Sequence, residues 1–155
     1  MNKISRFIPI HLLRLSGAAL AIATLGASFA ACAQGIGGNV WGGVYSAEQA
    51  TRGKAVYEAK CMACHGAALG GSDSAPPLTG GRFFATWNTT SADDLFERIH
   101  TTMPAKAPGT LSGAQVAAVE AYIFQVNGFP AGEKPLLAAP AALANIRITA
   151  NRPAR

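Results

Sequence analysis

Cysteine, histidine and methionine each occur only three times in 155 residues, and charged side chains make up 14% of the chain. Three cysteines exclude a multiply bridged disulfide scaffold. No segment repeats at a fixed period, so a solenoid or propeller is excluded. Residues 66–90 are rich in Gly, Ser, Pro and Thr and show no strand pattern, and no βαβ context is present. Acidic groups are also few, eight against thirteen Lys and Arg, but the basic excess is unevenly placed. Three of the basic groups (Lys3, Arg6 and Arg14) lie in residues 1–33, which carry no acid. The last fifteen residues hold Arg147, Arg152 and Arg155. Residues 34–140 keep seven basic groups against eight acids. A nucleic-acid partner would need a basic face on the fold itself, so it is excluded.

What is present begins with a secretory pattern. The basic start is followed by LSGAALAIATLGASFAACA, an uncharged run over residues 15–33 that ends in small residues. Ala31-Cys32-Ala33 fits a small-x-small cleavage site, which would leave Gln34 as the new N-terminus. Two alternatives stay open. The run is about long enough to remain as an anchor across ~30 Å of hydrocarbon, and Phe29 to Cys32 resembles a lipoprotein cleavage box. All three place the domain outside the cytoplasm, with membrane contact only if the segment is retained or Cys32 is lipidated.

Residues 34–45 (QGIGGNVWGGVY) read as a flexible lead-in, and residues 131–155, rich in Ala and Pro without an apolar stripe, as a disordered or loosely docked tail. The domain is then residues 46–130. A core that small needs a staple. Three capping boxes predict three main helices. Ser46 with Gln49 opens a helix to about Lys60. Ser91 with Asp94 leads into Leu95, Phe96 and Ile99. Ser112 with Gln115 leads into Val116, Val119, Ile123 and Val126, ended by Asn127-Gly128. Gly53 costs the first helix ~1 kcal/mol relative to Ala. Close approach of another helix, with Tyr57 meeting Tyr122, would account for it. The expected fold is all-α with long irregular connections.

KCMACHG at residues 60–66 carries the chemistry. Two thiols three positions apart face one side of a helical turn. They can add across the two vinyl groups of one porphyrin, and His65 behind them can present a ring nitrogen to the iron. Cys-x-x-Cys-His is therefore the attachment signature of haem c, covalent through Cys61 and Cys64, and the porphyrin supplies the missing staple. Competing readings are a zinc site of Cys61, Cys64, His65 and His100, which has the four ligands that such a site needs, and a plain Cys61–Cys64 disulfide. For a sixth iron ligand, Met62 lies between the cysteines and cannot reach the far face. Met103 remains, pushed out of helical geometry by Pro104, with His100 as its rival. A ligating histidine donates its other ring N–H to an acceptor, and a proline carbonyl of the Pro76-Pro77 pair is placed to accept. Trp87 is a candidate for a haem propionate or for plain core packing.

The run RGKAVYEAKCMACHG, APPLTG, TTMPAKAPGTLS and AYIFQVNGFPAG, in that order, resembles the class I c-type cytochromes over about residues 44–132. The resemblance implies three helices and long loops wrapped around one covalent haem, with His65 proximal and Met103 distal. It maps the backbone acceptor to Pro77 and the glycine–aromatic helix contact to Gly53 and Tyr57 against Tyr122. It implies a periplasmic electron carrier rather than an enzyme, cycling between Fe(III) and Fe(II). A dehydrogenase would serve as donor, and an oxidase or another cytochrome as acceptor. The spacing is also similar to the small cytochromes of periplasmic quinoprotein alcohol and sugar dehydrogenases, so an electron-transfer subunit of such a complex is the alternative. A haem enzyme or small-ligand sensor would require a labile sixth site.

Overall fold

Ser46, Ser91 and Ser112 open helices in the computed structural model, which describes residues 38–154. The secretory reading of residues 1–33 and the first part of the lead-in lie outside the described residues. Helix α1 spans Ala47–Lys60, and α2 is the short turn Met62–His65. Helices α3 (Gly80–Trp87), α4 (Ala92–Thr102), α5 (Gly113–Val126) and α6 (Pro140–Leu143) follow. Ahead of α1, strand β1 (Gly38–Asn39) runs into a 3-10 turn at Val40–Gly42. Near the end, β2 (Ile146–Arg147) pairs with β1 in parallel, Gly38 against Ile146. The fold is all-α apart from this small ladder.

Each cap satisfies N–H groups that the first helical turn leaves free. Ser91 with Asp94 and Ser112 with Gln115 form reciprocal boxes. At α1, Ser46 Oγ accepts from the Gln49 N–H at 3.2 Å, but the Gln49 side chain does not reach back. Its amide instead donates to the Leu136 carbonyl (2.9 Å) and accepts from the Leu136 N–H (2.7 Å).

α1 crosses α5 where Gly53 meets Ala118. A Cβ at Gly53 would fall inside the Ala118 carbonyl, so only glycine lets the two backbones touch. One turn along, the Tyr57 and Tyr122 rings pack with centroids 5.5 Å apart. α5 is buried on every side from Val116 to Phe124 rather than along one stripe, and Val126, expected on that stripe, is exposed.

Two expectations are corrected. Residues 66–90 are not wholly irregular, because α3 lies within them. Its start, Thr79-Gly80-Gly81, has no side-chain cap bond and carries weak helix formers, so neither signal marked it. The lead-in and the tail are not loose over the described residues. Val40 and Tyr45 are buried, as are Leu136, Leu143, Ile146 and Ile148. The tail's apolar residues span a loop, a helical turn and a strand, so they follow no single period. Backbone bonds join Thr89 N–H to Ile148 O (2.8 Å) and Ile148 N–H to Thr90 O (2.9 Å). The Trp41 indole donates to the Thr149 carbonyl at 2.9 Å, and Arg152 lies over the Trp41 ring. The two ends thus clasp each other beside α4. Among the described residues, no helix is long and apolar enough to cross a membrane.

Candidate cofactor site

Cys61 ends α1, its N–H bonded to the Tyr57 carbonyl at 2.8 Å. The next turn is closed by Cys64 N–H and His65 N–H, both donating to Cys61 O (3.1 and 3.0 Å). Both cysteines are half-buried free thiols lining one cavity of about 500 Å³. Burial, and then the neighbouring Cys64, pushes the Cys61 thiol up. The Tyr57 hydroxyl donates to the Gly66 carbonyl at 2.6 Å and so ties α1 to the far side of the turn. Burial pushes that phenol up to about 12.

His65 is buried, and its Nδ1 lies 2.8 Å from the Pro76 carbonyl oxygen. A carbonyl only accepts, so Nδ1 carries the proton and Nε2 is left with its lone pair free. The acceptor is Pro76 and not Pro77, the residue to which the resemblance maps it. The loop sets that choice. Gly71, at φ +78, sits so close to Ala75 O and Pro77 N that a Cβ would collide with both. Gly71 N–H donates to His65 O (2.9 Å), and Leu78 N–H to Leu69 O (2.8 Å). This folding-back brings the earlier proline's carbonyl to the ring, while Pro77 lines the cavity.

Met103 leaves α4 with extended dihedrals (φ −119°, ψ 155°), its N–H still bonded to Ile99 O at 3.0 Å. It is half-buried and lines the same cavity, followed by Pro104 and Ala105. Trp87, the last residue of α3, lines it too, as does Arg82 from the first turn of that helix. His100 is outside the lining and packs on Phe96 with ring centroids 5.6 Å apart, so the four-ligand zinc arrangement is not assembled. Met62 points to solvent, 38% exposed.

The structure therefore gathers Cys61, Cys64, His65, Pro77, Trp87 and Met103 around one space. Sequence reasoning missed the apolar wall built by Leu78, Leu95, Ile99, Val119 and Ile123, and the three cations of the lining, Lys60, Arg82 and Arg98. Leu95, Ile99, Val119 and Ile123 were visible only as core positions of amphipathic helices. The residues fit a haem. The volume lies within the ~300–1,000 Å³ of ordinary ligand sites, the walls are apolar, and two thiols, an oriented imidazole and a thioether meet the space.

Residues 48–123 match the family model for cytochrome c oxidase, cbb3-type, subunit III. Those residues make up a class I c-type cytochrome domain. Haem c is the cofactor of that class, and electron transfer with redox partners is its role. Among solved structures, the sulfane dehydrogenase SoxCD from Paracoccus pantotrophus contains a chain 22% identical to this one, with a TM-score of 0.43. The match covers 72% of this chain, and spans 62% of that one. No curated protein matches the sequence.

Proposed function

We propose that the chain is an exported, periplasmic electron carrier holding one haem c, covalently bound through Cys61 and Cys64, with His65 and Met103 as axial ligands. The observation that carries this reading is the Pro76–His65 hydrogen bond. It fixes the tautomer whose free nitrogen belongs to a cavity shared with both thiols and the Met103 thioether. When bound, the haem supplies a one-electron Fe(III)/Fe(II) couple, which His/Met ligation raises in potential. The chain orients the imidazole through Pro76, presents the thioether from an extended segment, and excludes water with Leu95, Ile99, Val119 and Ile123. Arg82 and Arg98, with Trp87, give the rim partners for propionates. Partners would dock briefly beside the cysteine turn, where Met62 is exposed, over less than about 1,200 Å². In that setting the chain transforms no substrate itself.

A second reading makes the chain a subunit of a larger redox complex, including a quinoprotein dehydrogenase. The matched family is itself named for an oxidase subunit, which favours assembly of some kind. Purification of the native protein and measurement of its mass tests the proposal. One added porphyrin per chain is expected, on a chain beginning near Gln34 and recovered without a stable partner. The absence of a porphyrin would refute the haem assignment. An intact residue 1 would refute cleavage, and a co-purifying dehydrogenase would select the second reading.

A further inference from the structure

Glu120 lies in the middle of α5, fully buried, and neither carboxylate oxygen has a hydrogen-bond partner among the described residues. Buried polar groups in folded proteins are nearly always paired, and a lone buried carboxylate is costly enough to hold its proton instead. The residue beside it, Val119, lines the cavity, and so does Ile123 one turn further on. Glu120 therefore sits within about one helix diameter, ~10 Å, of the space assigned to the haem.

The surrounding charges isolate it further. From α4, Asp93 acts on it and raises its proton affinity beyond what burial alone does. Asp93 is only half-buried, yet its Oδ1 is buried without a partner. Glu97 and Asp94 act on Asp93, and Asp94 is already committed to the Ser91 cap. From β2, Arg147 acts on Asp94 and donates to the Thr89 carbonyl. From α1, Lys54 pairs with Glu58, and the Tyr57 hydroxyl is bound to Gly66. No cation neutralises Glu120 among the described residues.

We propose that Glu120 is a redox-linked proton-binding site, which makes this chain a carrier of protons as well as electrons. This rests on the haem reading above. When one electron enters the site, an ionised Glu120 becomes less favourable, and a proton from water is taken up on a Glu120 carboxylate oxygen. Loss of the electron returns that proton to water. A unit charge ~10 Å away at an effective dielectric of ~20 changes proton affinity on the order of tenfold.

The test is the midpoint potential of the holoprotein from about pH 4 to about pH 9, the range in which buried glutamates titrate. It is read together with the carboxylic C=O band in the redox-difference infrared spectrum. The wild type should show a fall with rising pH totalling about 59 mV, the equivalent of tenfold coupling, and a carboxyl band that changes with redox state. Glu120→Gln, which keeps the shape, should lose both. Asp93→Asn should move the bend to lower pH, because a like charge has been removed. A flat wild-type curve overturns the proposal, as does a Glu120→Gln protein with unchanged slope and band. A preparation without a reversible one-electron haem couple would overturn the haem reading first, and this proposal with it. A normal couple with unaltered pH dependence overturns this proposal alone.

Discussion

His65 and Glu120 are both buried and both ionisable, but the chain treats them differently. Around His65, a glycine-dependent loop folds back so that the Pro76 carbonyl meets Nδ1 at 2.8 Å. Around Glu120, the other eight residues of the buried run Val116–Phe124 supply no partner at all. A satisfied group is held in one orientation, which a metal ligand needs. An unsatisfied one is held in one protonation state, and that state changes when nearby charge changes. The haem side of the molecule is built for geometry, and the α4–α5 interior for electrostatic response.

Breaking the satisfied side should have the largest effect. Gly71→Val would force its side chain into Ala75 O and Pro77 N at a positive φ, and should cost roughly 3 kcal/mol or more. Urea unfolding of the holoprotein would measure the loss, and a stability within 1 kcal/mol of wild type would show that the loop can shift freely (about the range of an ordinary surface change).

Gln49 extends the satisfied side to the tail. Gln49→Ala leaves the Leu136 N–H and carbonyl without partners and should cost roughly 2–3 kcal/mol. Limited proteolysis should then cut within residues 131–154 earlier than in the wild type. An unchanged cleavage pattern would mean that Leu143, Ile146 and Ile148 dock the tail unaided.

Glu120 sharpens the contrast through pH. Burial, then Asp93, raises its proton affinity well above the ordinary value of 4.5, so the folded state binds a proton that the unfolded state releases. The stability associated with the neutral form is complete below that value and falls as pH rises toward the folded-state value. The slope is at most about 1.4 kcal/mol per pH unit. Glu120→Gln removes the titration, so its advantage over the wild type should widen as pH rises. An offset constant with pH would contradict a buried, titrating Glu120.

Tyr57→Phe should have the smallest effect, about 1 kcal/mol, by deleting the 2.6 Å bond to Gly66 O while keeping the ring against Tyr122. A lower Tm with an unchanged haem spectrum is expected. A changed spectrum would show that this bond also positions His65.

The sequence made the haem side legible because its chemistry demands particular residues at fixed spacing. CMACH places two thiols and an imidazole on one turn, and Pro104 takes Met103 out of the helix whatever surrounds it. Gly53 was readable for the same kind of reason, since a glycine inside a helix needs an explanation and backbone contact with Ala118 provides it. The choice between Pro76 and Pro77 was not readable, because it depends on how Gly71 turns the loop. The clasp of the two ends was hidden because its buried residues follow no period, and because Gln49 looked like half of a capping box. Glu120 was hidden most completely. On α5 it reads as an ordinary polar face, and only the packing of every side of that helix buries it.

The absorption spectrum of the oxidised holoprotein tests the central claim most directly. A weak far-red band from a methionine–iron bond is predicted in the wild type, with loss of that band but retention of covalent haem in Met103→Ala. A wild type that lacks the band and binds cyanide or carbon monoxide readily would contradict the account.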